Sequence, residues 1–298
     1  MQFLALALTF LATFASLRAA EPATLFRHCP TNEGWVTVWD SEWTQPANDA
    51  GQRVDNGSQL ILAQPATKGN YSFSLLAQTP WGSQKHIHTI RLPEGMKGGY
   101  TDQVVWSMAE GKGRGPLSWD RALASKGDLY LGFYVRFRGS GGRPYRLENL
   151  GGQKMLYARP APEPGSGTFA HIFIRKGGTP LGGGWAGFEP QPMHTVCESA
   201  AYFTEPSSPI GIDDRWNQIE YRIIANTRTK TNHLADGQVE IYVDGTLQHR
   251  QTNAIIYCTG QESATMNSFS LNPIYGGGTN PVPYDLYVDY GRMKVMAR

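Results

Sequence analysis

The stretch Asp213–Arg250, DDRWNQIEYRIIANTRTKTNHLADGQVEIYVDGTLQHR, constrains the fold more than any other part of this chain. It reads as three β-strands joined by turns. Asp236-Gly237 punctuates the entry to the second strand, and Asp244-Gly245 turns the second into the third. A two-residue type I′ turn needs positive φ at both central positions, so Asp-Gly between alternating runs predicts a hairpin. Val239, Ile241 and Val243 alternate with Glu240, Tyr242 and Asp244. Asn217, Ile219, Tyr221 and Ile223 alternate with Trp216, Gln218, Glu220 and Arg222. Successive strand side chains fall on opposite faces, so one face of this block can build a core while the other sets Trp, Gln, Glu and Arg side by side.

The same short alternating runs, bounded by Gly, Pro, Asn and Asp, recur along the chain, and helical periodicity is almost absent. Further strands are expected at 35–39, 59–62, 71–76, 86–92, 103–108, 129–138, 154–159, 168–175, 268–272 and 284–295. Thirteen strands in all fit an all-β fold, a two-sheet antiparallel β-sandwich of the jelly-roll kind. Ala109–Ser125 and Leu181–Pro209 read as long loops, the first with a short helix around Trp119–Ser125. There is no internal repeat and no linker-like tract, so residues 21–298 are expected to form one domain.

The first twenty residues read as a secretory signal peptide. An apolar run from Phe3 to Leu17 ends in small residues near Ala19 and Ala20. About 15 residues is short for a membrane span, which needs roughly 20. No other run is long and apolar enough to span, so a secreted, extracellular or periplasmic protein is expected. Formal net charge is +2, falling to +1 when Arg18 leaves with the signal, and this balance gives no reason to expect a nucleic-acid partner. An oxidising compartment allows one disulfide among the three cysteines. Cys197 with Cys258 is the favoured pair because both lie in loop-like stretches; Cys29 with Cys197 is the alternative. Without CxxC spacing, a zinc site is not expected.

LYLGFYVRF, GGQKMLYAR, RWNQIEYRIIANT, DGQVEIYVDG, NPIYGGG and YDLYVDYGRMKV, taken together, resemble the concanavalin A-like lectin/glucanase superfamily. Within it they are most similar to the β-jelly-roll polysaccharide lyases of the glucuronan-lyase-like and alginate-lyase-like kinds. The resemblance runs from Leu129 to the C-terminus. It implies a partner that is a polysaccharide, anionic if the lyase likeness extends to substrate, and no required cofactor. The superfamily's glucanases place carboxylates as ExDxxE on one strand. Glu240-Ile-Tyr-Val-Asp244 has a different spacing, so glycosidase chemistry is not implied. The closing strand YVDYGRMKV resembles one whose aspartate, here Asp289, contributes to a structural Ca²⁺ site. The alternative for Asp289 is a hydrogen-bonded strand residue. The lyases carry QIH or Tyr-Lys-Tyr signatures; the nearest forms here are Lys85-His86-Ile87-His88 and Tyr284, Tyr287 and Tyr290, neither complete.

β-Elimination from a uronate polymer needs a donor that neutralises the carboxylate, a base for the adjacent C–H and an acid for the leaving oxygen. Arginine suits the first task through its bidentate fork; His or Tyr suits the others. Tyr157 and Arg159 lie two apart on one strand, and His171 and Arg175 four apart on another. These four are the catalytic candidates. In a regular strand Lys154 falls on the opposite face from Tyr157, whereas Gln153 and Met155 share that face. Tyr134, Arg136, Trp216, Gln218 and Arg222, with Tyr275 before a Gly-rich loop, are the candidate substrate-binding residues. His86 and His88 read as surface histidines. Two other classes fit the same pattern: a non-catalytic, lectin-like carbohydrate-binding module and a structural extracellular β-sandwich.

Overall fold

The computed structural model describes residues 25–31, 34–41, 52–55, 58–62, 71–96, 106–109, 127–146, 153–161, 168–176, 184–192, 208–210, 214–257, 259, 265–275 and 281–298. The expected signal peptide, Cys197, Cys258 and the helix expected near Trp119 lie outside the described residues.

The strands are β1 (Val36–Ser41), β2 (Gln52–Asp55), β3 (Ser58–Leu62), β4 (Tyr71–Thr79), β5 (Gly82–Leu92), β6 (Trp106–Ala109), β7 (Leu129–Gly139), β8 (Gln153–Ala161), β9 (Thr168–Lys176), β10 (Gly184–Pro192), β11 (Ser208–Ile210), β12 (Trp216–Ile224), β13 (Gly237–Val243), β14 (Thr246–Ala254), β15 (Thr265–Tyr275) and β16 (Leu286–Ala297). They form two eight-stranded antiparallel sheets, so the protein is an all-β sandwich. The first sheet runs β14-β13-β12-β7-β16-β5-β4, with β1 also paired to β16; the second runs β11-β10-β9-β8-β15-β6-β3-β2.

All thirteen expected strands have a counterpart. Asp244 (φ 50°) and Gly245 (φ 76°) both adopt the left-handed conformation that the hairpin signal requires. Asp236 stops the preceding loop instead, accepting hydrogen bonds from the N–H (2.7 Å) and hydroxyl (2.6 Å) of Thr227. The loop expected at Leu181–Pro209 is corrected: it contains β10 and β11. Pro190 and Pro192 concealed β10, because proline cannot donate to a ladder. β11 pairs only with Gly184–Ala186, so both prolines lie where β10 has a neighbour on one side alone.

One face of the first sheet is a continuous apolar layer. Ile241, Tyr221, Leu131 and Val295 follow one another across β13, β12, β7 and β16, and Val243, Ile219, Phe133 and Met293 form the next row. All eight are at most 4% exposed. The second sheet has a matching apolar face by register: Phe188, Ile172, Leu156, Leu271 and Trp106 form one row, and Ala170, Ala158, Phe269 and Met108 another. Removing apolar strand faces from water is the main driving force for a sandwich.

The other face of the first sheet is covered in part. The segment after Leu25 and the turn between β4 and β5 fold over it, so Phe26, Trp35, Trp81, Tyr130, Tyr134 and Met296 form a second buried cluster. Two glycines make room. A Cβ on Gly132 would meet the Phe26 ring at 2.9 Å, and one on Gly291 would overlap the Trp81 indole. Gly291 stands where the β16–β7 register shifts between Tyr290 and Met293, a bulge that seats the indole. Gly291→Ala is expected to displace Trp81 and destabilise the protein by about 1–3 kcal/mol, the usual cost of overpacking. A lower urea midpoint at unchanged slope, with altered tryptophan emission, is the expected readout.

Candidate functional site

Register in the second sheet brings the main catalytic candidates together. Tyr157 of β8 stands directly opposite His171 of β9. Register partners share a sheet face and are about 4.5–5.5 Å apart at Cβ. The row continues to Glu189 of β10 on one side, and to Ser270 of β15 and Ser107 of β6 on the other. Its order is Glu189, His171, Tyr157, Ser270, Ser107, and the apolar rows flank it on the opposite face.

Arg159 lies two residues along β8 from Tyr157, opposite Ser268 of β15. Arg175 lies four along β9 from His171, beyond the row on the other side, opposite Trp185. At about 3.3 Å per residue, Arg175 is roughly 13 Å from the row. Between them stands a residue that a regular strand would exclude. The β8–β9 register shifts between Lys154 and Leu156, so Lys154 pairs with Phe173. Phe173 is two residues from His171, so the bulge moves Lys154 onto the Tyr157 face and corrects the regular-strand expectation. The same shift pairs Gln153 with Ile174, on the apolar face. Nothing in QKMLYAR announces this bulge. Glu189 was missed because the prolines hid its strand.

Five of the six substrate-binding candidates are on the other sheet. Tyr134 and Arg136 belong to β7, and Trp216, Gln218 and Arg222 to β12, while the row above belongs to β8–β10. The two groups therefore lie on different sheets, and the expected floor is partly covered. Tyr134 is 8% exposed, with its ring 5.7 Å from Phe26 and 4.5 Å from Trp81, and its hydroxyl donates to the Leu25 carbonyl. Burial first, then the charges of Glu220 and Asp244, push its phenol up to about 12. The Gln218 amide donates to the same carbonyl. Trp216 meets Trp81 edge-on at 4.8 Å and carries Arg136 over its ring at 5.0 Å. Arg222 lies 3.6 Å from buried Glu240, which also accepts from Arg250 (2.8 Å) and Tyr242 (2.9 Å). Tyr275 ends β15 in the second sheet, opposite Gln153.

Asp289 is the centre of a charge cluster. Its Oδ2 accepts from Arg136 Nε (2.9 Å) and Nη2 (2.7 Å) and from Arg138 Nε (2.8 Å). Its Oδ1 accepts from the Thr89 hydroxyl (2.6 Å) and Arg138 Nη2 (3.2 Å). Burial raises the carboxyl's pKa, but the bonds from Arg138 and Thr89 and the two guanidinium charges outweigh it, so the net shift is downward. These residues do not fit Ca²⁺, which takes six to eight oxygen ligands: both carboxylate oxygens already face donors, and two cations flank them. The hydrogen-bonded reading of Asp289 is the one observed.

Other expectations change as well. His88 is fully buried, its ring 6.4 Å from that of Tyr290, rather than a surface residue. Tyr290 is buried beside it, and Tyr284 donates to the Pro144 carbonyl at 2.6 Å. Thus the nearest approximations to the lyase signatures belong to the packed first sheet. Cys29 carries a free thiol 3.3 Å from the Met296 sulfur, which corrects its alternative pairing with Cys197. Among the described residues no group of three His, Cys, Asp or Glu is placed to hold a metal, and no helix is long and apolar enough to cross a membrane.

No family model matches the chain, and neither does any curated protein. Several solved structures are similar to it. A PL-14 alginate lyase from Aplysia kurodai has 15% identity, with 77% of this chain and 87% of that one covered and a TM-score of 0.47. An alginate lyase from a Chlorella virus has 13% identity, coverage of 77% and 94%, and a TM-score of 0.46. An endo-β-1,4-glucuronan lyase from the fungus Trichoderma reesei has 12% identity, coverage of 80% and 91%, and a TM-score of 0.42. The sandwich architecture rests on this chain's own strand pairing.

Proposed function

We propose that this is a secreted polysaccharide lyase that cleaves an anionic, uronate-containing glycan by β-elimination on the second sheet. The observation that carries this reading is the register pairing of Tyr157 with His171. It puts a phenol and an imidazole, two groups suited to general acid–base work, at neighbouring positions on one face. Lys154, Arg159 and Arg175 occupy the same face by register, against one carboxylate, Glu189, on these three strands. That excess of positive charge suits a polyanion.

In the proposed step, an arginine fork binds the uronate carboxylate and makes the proton at C5 more acidic. His171 takes that proton. The released electron pair forms the C4–C5 double bond, the C4–O bond breaks, and Tyr157 gives its proton to the departing oxygen. Water then restores the two protonation states. No metal is required, because the guanidinium supplies the charge neutralisation.

The test is ultraviolet absorbance of the unsaturated uronate product during incubation with glucuronan, alginate and related polymers. A steady rise with at least one polyuronate is expected, and none with neutral glucans. Binding to a polyuronate without any rise would instead establish a carbohydrate-binding module.

A further inference from the structure

The strands of the second sheet contain one histidine, His171, and among their described residues only two carboxylates, Asp55 and Glu189. Asp55 is on the edge strand β2, at the far end of the sheet order from β10. Glu189 is directly opposite His171, and His171 directly opposite Tyr157. Carboxylate, imidazole and phenol therefore occupy one cross-strand row on three adjacent strands, with His171 in the middle.

This placement needs a physical reason. A carboxylate on a face that binds a polyanion repels the ligand, and Lys154, Arg159 and Arg175 show that the face is otherwise cationic. The repulsion is offset if the carboxylate is committed to a neighbour. The cations do not share its register position: Arg175 pairs with Trp185 and Lys154 with Phe173, whereas Glu189 pairs with His171. A carboxylate hydrogen-bonded to one ring nitrogen of a histidine fixes its tautomer and orientation and stabilises its protonated form.

We propose that Glu189 is a positioning residue for His171: it holds one ring nitrogen so that the other is presented beside Tyr157, where the C5 proton is taken. The catalytic part of this assignment, and the repulsion argument for it, rest on the lyase reading; the register that sets Glu189 opposite His171 does not.

The experiment uses the full chain with ¹³C,¹⁵N-labelled histidine, and His171→Asn identifies the His171 signal. Ring shifts are followed through a pH titration in the parent protein and in Glu189→Gln, which keeps the volume and removes the charge. The His171 midpoint is expected to fall by about one pH unit in Glu189→Gln, with a changed ¹⁵N tautomer signature. Glu189→Asp is expected to restore part of both. An unchanged midpoint and tautomer in folded Glu189→Gln overturn the pairing. With a polyuronate substrate, Glu189→Gln is expected to lower kcat more than tenfold at little change in KM and to shift the acidic limb of the kcat/KM profile to lower pH. If the parent protein cleaves no polyuronate, the lyase reading fails, while the titration still decides the pairing. If cleavage is seen and Glu189→Gln leaves kcat and the pH profile intact, the positioning role fails alone.

Discussion

Asp289→Ala is expected to destabilise the protein by about 3 kcal/mol, the lower end of the range for breaking a buried ion pair. Asp289 is fully buried, and its side chain accepts five hydrogen bonds, four of them from guanidinium groups. Removing it leaves Arg136 and Arg138 facing one another without their shared counter-ion. Their side chains are 21% and 32% exposed, so water relieves part of the loss, which is why the lower end applies. For a chain of this length the change corresponds to a fall in Tm on the order of 10 °C. Denaturant titration at neutral pH measures it directly. The pH dependence has a definite sign. The folded-state pKa of Asp289 is depressed, so its contribution is present above the unfolded-state value of about 3.9 and is lost as pH falls through the folded value. The stability gap between the parent and Asp289→Ala should therefore be constant from neutral pH down to about 5 and close in stronger acid.

Tyr157→Phe and His171→Ala are each expected to lower kcat/KM on a polyuronate by about 10²–10⁴-fold, the span of a lost general acid or base. Phe retains the ring and removes only the proton donor, so substrate affinity should change far less than turnover. Because the two groups act in one step, the double variant should lose little more than the worse single one, since effects of groups acting as a unit do not add. Arg159→Lys keeps the charge and loses the bidentate fork; a rise in KM beyond that of Tyr157→Phe is its expected signature. Product absorbance measures the rates and a pull-down with insoluble polymer measures retained affinity. Undiminished turnover in both Tyr157→Phe and His171→Ala would remove the row from the mechanism.

The order of these effects reflects how differently the two sheets are built. On the first sheet one face is an apolar core layer, and the other is covered in part, where Phe26, Trp35 and Trp81 pack on β7 and β16. Several of its polar residues are engaged in networks: Asp289 with Arg136 and Arg138, Glu240 with Arg222 and Arg250, and Glu220 with the Tyr130 hydroxyl (2.7 Å) and the His28 N–H (2.9 Å). Burial at this density demands paired polar groups, and that pairing removes them as ligands for a partner. The polar, aromatic strand face of β12 is thus partly covered in three dimensions: Glu220 is buried, whereas Trp216, Gln218 and Arg222 are half-buried.

Part of this architecture is legible in the sequence alone. The positions of thirteen strands, the Asp244-Gly245 turn and the core residues of β7, β12 and β13 follow from period-two alternation and turn chemistry, which are local properties of the chain. So does the sharing of a face by Tyr157 and Arg159, and by His171 and Arg175. Three matters were decided only by tertiary structure. The assignment of β7 and β12 to one sheet and β8 and β9 to the other depends on pairing between segments far apart in sequence. The shift of Lys154 onto the Tyr157 face depends on a bulge, in which one added residue reverses the alternation for everything before it. The partial covering of the first sheet's outer face depends on Phe26 and Trp81 reaching Gly132 and Gly291. Local pattern states which residues can share a face; only the register between strands, and what folds over them, determines which faces meet and which remain for chemistry.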